Sequence, residues 1–110
     1  MSTRCTILIK NESEKEEVRL YHHHDGYPEG VGENLKKYLS NIKYWDVYSI
    51  ANELIKSNED DEYELTPCQH GDEEYAYLID CKHRQLKCYK VGWDEFDWKE
   101  KKIRMDIQFQ

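Results

Sequence analysis

Residues 18–42 read VRLYHHHDGYPEGVGENLKKYLSNI, and the way the chain passes through them decides the fold. Val18, Leu20, His22 and His24 alternate with Arg19, Tyr21 and His23, the period of a strand with two unlike faces. Asp25-Gly26-Tyr27-Pro28-Glu29-Gly30-Val31-Gly32 then holds three glycines and a proline in eight residues, so the backbone has to turn sharply before regular structure resumes. Beyond the turn Val31, Leu35, Tyr38, Leu39 and Ile42 recur at helical spacing, and Glu33 suits the positive end of the helix dipole. A strand is thus expected to hand over to a helix across a glycine-rich joint.

Upstream, residues 3–10 carry Cys5, Ile7 and Ile9 on one side and end at the polar run 11–17, which predicts a hairpin with the strand just described. Downstream, Asp46 is placed to cap a second helix whose apolar stripe is Val47, Ile50, Ala51, Leu54 and Ile55, with Asn58 as its end. Residues 63–68, 75–81 and 86–91 then read as strands, separated by segments 69–72 and 82–85 that look like hairpin turns. Ile103, Met105, Ile107 and Phe109 alternate as a last strand. The order ββααββββ predicts an α+β fold, an antiparallel sheet with two helices packed on one face. At 110 residues, 1–110 are expected to form a single domain around one core, with no internal repeat.

Charge narrows the partners. The net charge of -7 divides unevenly: residues 1–57 hold 9 acidic and 8 basic side chains, residues 58–110 hold 14 and 8. Glu59, Asp60, Asp61, Glu62, Glu64, Asp72, Glu73 and Glu74 occur without an intervening Lys or Arg. Such a surface repels phosphate, so direct nucleic-acid binding is not expected, whereas a basic protein surface would be attracted. Asp60, Asp61, Glu73 and Glu74 read as exposed loop positions available to such a partner. Trp93, Phe96 and Trp98 lie among Asp94, Glu95, Asp97 and Glu100, a strip that either closes the core or, at Trp98, anchors a partner inside an acidic rim.

The opening of the chain has no charged leader followed by an apolar segment, and no run is apolar enough to cross a membrane, so a cytoplasmic protein is expected. In that compartment Cys5, Cys68, Cys81 and Cys88 are expected as free thiols.

Two clusters invite a chemical reading. His22 and His24, two apart on a strand, would share a face and with Asp25 could hold a metal; His23 and Asp25, beside Tyr27, could instead act as an oriented acid/base pair. Glu29 and Glu33 at the mouth of the helix would be within reach. The structural alternative is that Asp25 caps the turn, Gly26 supplies an unusual dihedral, Tyr27 packs, and the histidines are partly exposed strand residues. Cys68-x-His70 and Cys81-x-His83 form the second cluster, but if the intervening strand separates the two turns, the four groups stand at opposite ends of it. No phosphate-binding glycine loop, nucleophile elbow or paired-histidine helical motif occurs, and no cofactor is expected.

Tyr21-x-His23-x-Asp25-Gly26-Tyr27-Pro28, followed by a glycine-rich step into a Leu-containing helix, resembles the signature of a group of small proteins of bacteriophages, prophages and bacterial genomes that carries no established activity. Ser2-Thr3-Arg4 and Tyr75-x-Tyr77-x-Ile79-Asp80 are similar to the same group. The chain departs from the commoner pattern in having His at both 22 and 24. The resemblance implies a mobile-element setting, in which small acidic proteins bind and inhibit a host machine. Together with the charge, the expectation is a non-enzymatic protein that binds a basic host protein, or a nucleic-acid-handling or defence complex. The alternative is a metal-dependent enzyme or small-ligand-binding domain centred on His23, Asp25 and Tyr27.

Overall fold

Six strands and two short helices make up the computed structural model, which describes residues 3–11, 17–56, 63–66, 73–90 and 103–109. The strands are β1 (Cys5–Lys10), β2 (Glu17–His22), β3 (Tyr63–Leu65), β4 (Tyr75–Asp80), β5 (Gln85–Lys90) and β6 (Ile103–Gln108). The helices are α1 (Glu33–Leu39), entered through a wide helical turn at Pro28–Gly32, and α2 (Val47–Lys56). The fold is α+β, with the chain order expected from the sequence.

The sheet is mixed rather than wholly antiparallel. Its order is β3-β2-β1-β4-β5-β6, and β1 runs parallel to β4, with Cys5 opposite Tyr75 and Lys10 opposite Asp80. The hairpin expected between β3 and β4 is therefore absent. β3 pairs with β2 instead, His22 opposite Tyr63, two strands away from β4. The physical reason lies in burial: all five residues Cys5–Ile9 are buried, so β1 needs a partner on each side, whereas β3 leaves Glu64 and Leu65 exposed and belongs at an edge.

One face of the sheet carries the core. Cys5, Ile7 and Ile9 of β1, Leu20 of β2, Tyr77 and Ile79 of β4 and Leu86 and Cys88 of β5 join a single cluster with Leu35 and Leu39 of α1 and Val47, Ile50, Ala51 and Leu54 of α2. Each fully buried Leu or Ile side chain contributes about 1.5–3 kcal/mol relative to exposure. Thr6, Leu8, Tyr21, Ala76 and Tyr89, on the opposite face, are buried as well. Thr6 satisfies its hydroxyl there by donating to the Leu20 carbonyl at 3.1 Å. Asp46 caps α2 as its position suggests, its Oδ2 accepting from the Ser49 N–H at 2.9 Å.

Candidate functional site

The joint between β2 and α1 is built from main chain. β2 ends at His22, so the strand alternation does not reach His24. Asp25 takes a left-handed backbone conformation, φ 53°, a position that Asp tolerates better than most residues. Its carbonyl accepts from Val31 N–H at 2.8 Å, while the Tyr27 carbonyl accepts from Gly30 N–H at 2.9 Å. Gly26 sits over the start of β1 and donates its N–H to the Thr3 carbonyl at 2.9 Å. A Cβ on Gly26 would stand 2.8 Å from the Cys5 Cβ and 3.0 Å from the Thr3 carbonyl oxygen; one on Gly30 would stand 2.3 Å from the Asp25 oxygen. Glycine is needed at both positions because backbone passes backbone with no room between. The unusual dihedral expected at Gly26 belongs to Asp25, and the capping expected of the Asp25 carboxylate is performed by its carbonyl.

Tyr77 locks this joint to the sheet. Buried in the centre of β4, it donates its hydroxyl to the Gly26 carbonyl at 2.7 Å. Burial drives the Tyr77 phenol well above its ordinary pKa, with Cys88 and Cys5 adding to the effect, so it is a permanent donor. The segment around Asp25-Gly26-Tyr27-Pro28 and the segment around Tyr75-x-Tyr77 are thus in direct contact. Nothing in the strand pattern alone marks Tyr77 as part of the joint; the signal was a hydroxyl on a core-facing position, which needs a partner when buried.

The side chains divide into separate pairs. His23 Nε2 lies 3.2 Å from Glu64 Oε1 across the β2–β3 edge, and its ring meets Tyr21 edge-on at 4.7 Å between centroids. Asp25 Oδ1 accepts from the Tyr27 hydroxyl at 3.1 Å. That hydrogen bond and the charge of Asp25 raise the Tyr27 pKa, which makes Tyr27 a donor rather than a base at neutral pH. His22 is buried against Tyr63, ring centroids 4.5 Å apart, whereas His24 is exposed with its ring 6.3 Å from His23. His22, His24 and Asp25 therefore do not converge, and among the described residues no group of three or more His, Cys, Asp or Glu is arranged to hold a metal ion.

The second cluster is divided too. His83 Nδ1 is held by Asp80 Oδ2 at 2.9 Å in the β4–β5 turn, and Cys81 is buried; Cys68 and His70 lie outside the described residues. Cys5, Cys81 and Cys88 are not joined in disulfide bonds. Burial pushes Cys88 up to about 12 and Cys5 well above the usual thiol range, so neither is a nucleophile at neutral pH.

Of the acidic positions read as a contact surface, Glu74 is half-buried and Glu73 is buried, only 5% exposed. The expectation of an exposed loop carboxylate fails at Glu73, which enters the start of β4 beside the Arg4 backbone: the next N–H, of Glu74, donates to the Arg4 carbonyl at 2.8 Å. Asp60, Asp61, Trp93, Phe96 and Trp98 lie outside the described residues. No described helix is long and apolar enough to cross a membrane. Set against known protein families, curated proteins and solved structures, the chain finds no match in any of the three.

Proposed function

We propose that the chain is an acidic, non-enzymatic binding protein of the phage or mobile-element type, engaging a basic surface of a host protein or of a nucleic-acid-handling or defence complex. The observation that carries the reading is where the acidic stretches are tethered. β1 begins at Cys5, opposite His22 of β2 and Tyr75 of β4; Tyr63 of β3 pairs with His22, Lys90 of β5 with Tyr75, and Ile103 of β6 with Tyr89. β3, β4 and β6 thus all start, and β5 ends, at one end of the sheet. Residues 57–62, 67–72 and 91–102 each join a strand there, and together they contain nine carboxylates against three lysines. The described residues that flank these stretches, Tyr63, Tyr75, Lys90 and Ile103, therefore lie at one end of the sheet.

Nine carboxylates against three lysines in stretches that join the sheet there would steer a basic partner and disfavour phosphate. The test is capture of a partner from host lysate, followed by titration of the purified pair at increasing salt. Binding should weaken as salt rises, because such charges are screened within ~10 Å at 0.1 M. The triple variant Asp60→Lys, Asp61→Lys, Glu74→Lys should lower affinity while keeping the parent melting temperature. Glu73 is left out because its buried position would confound binding with folding. A partner held equally well by that variant at every salt concentration would sink the proposal.

The alternative, a metal-dependent or small-ligand site at His23, Asp25 and Tyr27, draws on the exposed Asp25–Tyr27 hydrogen bond. Elemental analysis of tag-free protein separates the two readings. One metal ion held per chain and lost in His23→Ala or Asp25→Ala would favour the alternative.

A further inference from the structure

We draw no further inference here: the strongest candidate, the outer edge of the sheet at β6 where Arg104 and Asp106 are exposed, carries nothing because the register breaks at Arg104 between the Cys88 and Tyr89 pairings and nothing in the structure shows what covers that edge.

Discussion

The two ends of the sheet are held by opposite means. Where β4 turns into β5, side chains close on main chain: Asp80 Oδ1 accepts from the Lys82 and His83 N–H groups, both at 3.1 Å, and Asp80 Oδ2 holds His83. Gln108 donates to the Arg84 and Phe109 carbonyls at 3.2 and 3.1 Å and accepts from Gln85 at 3.0 Å. At the other end, where β1 begins, the joint of residues 25–32 is held by backbone hydrogen bonds and by one buried hydroxyl, that of Tyr77. The carboxylate at the first end is consumed by the turn. At the second end Asp25 and Tyr27 are exposed and bond to each other, so the joint does not depend on their side chains. Charge at that end is therefore open to a use other than folding.

The comparison breaks most visibly at the glycines. Gly30→Ala would drive a methyl group to 2.3 Å from the Asp25 carbonyl oxygen, and Gly26→Ala would put one 2.8 Å from Cys5. Neither obstacle is the far end of a flexible side chain, so backbone has to shift. Overpacking of this kind costs about 1–3 kcal/mol or more, and we expect Gly30→Ala to melt furthest below the parent, with Gly26→Ala next. Calorimetry or thermal circular dichroism gives the order; parent-like melting of both would show that the joint is not close-packed.

Tyr77→Phe comes next. It leaves the Gly26 carbonyl without its buried donor, and an unsatisfied buried acceptor costs about 1–3 kcal/mol. Because the variant keeps the ring and its packing, a loss of this size reports the hydroxyl's hydrogen bonds, the one to Gly26 and its contact with Cys88 together. Denaturant titration should show a lower midpoint with an unchanged slope. No change would mean that the Gly26 carbonyl finds another donor.

How much of this was legible follows from which interactions are local. The strands, the apolar stripes of both helices and the Asp46 cap depend on spacings of a few residues, and all are visible in the sequence. The partnership of β3 was misread because chain proximity favours a hairpin, whereas the sheet is ordered by burial. The unbroken apolar run Ile7-Leu8-Ile9 was the available sign of a central strand, whereas Tyr63-Glu64-Leu65, in which one carboxylate separates two apolar side chains, gave no comparable sign of an edge. Glycines at 26, 30 and 32 announced a joint, but not that two of them answer close backbone approach while the positive φ falls on Asp25. The Tyr77 contact joins residues 51 positions apart and has no local signature.

A smaller effect sharpens the other end. Burial alone would raise Asp80, but the hydrogen bonds from the His83 side chain and from the His83 and Lys82 N–H groups outweigh it and hold the carboxyl below its ordinary value. A depressed folded-state pKa means stability that is present above the unfolded value of about 3.9 and lost as pH falls through the folded one. Asp80→Asn keeps an oxygen for the turn but removes the charge facing His83, so the expected loss at pH 6 is under about 1 kcal/mol. Parent and variant should converge in melting temperature as pH falls through the depressed folded-state value of Asp80. A gap that persists unchanged at low pH would assign the role to shape rather than charge.

The smallest expected effect is the most informative about function. Asp25 holds φ 53° with an exposed side chain that touches Tyr27, while the hydrogen bond that closes the joint comes from its carbonyl. Asp25→Gly keeps that carbonyl and relieves the left-handed strain, at the cost of greater freedom in the unfolded chain; the two effects oppose, and the net change should lie within about 0.5 kcal/mol. Asp25→Ala has no such relief and should lose about 1 kcal/mol, since Ala adopts this conformation less readily than Asp. The pair thus separates backbone from carboxylate. If Asp25→Gly melts with the parent and binds the captured partner normally, the conspicuous motif is a folding device and the contact lies elsewhere, which makes Asp60 and Asp61 the next residues to change. If it melts with the parent and loses binding, the Asp25 carboxylate is itself part of the contact, and Tyr27→Phe, which removes its hydrogen-bond donor, should weaken the same interaction in part.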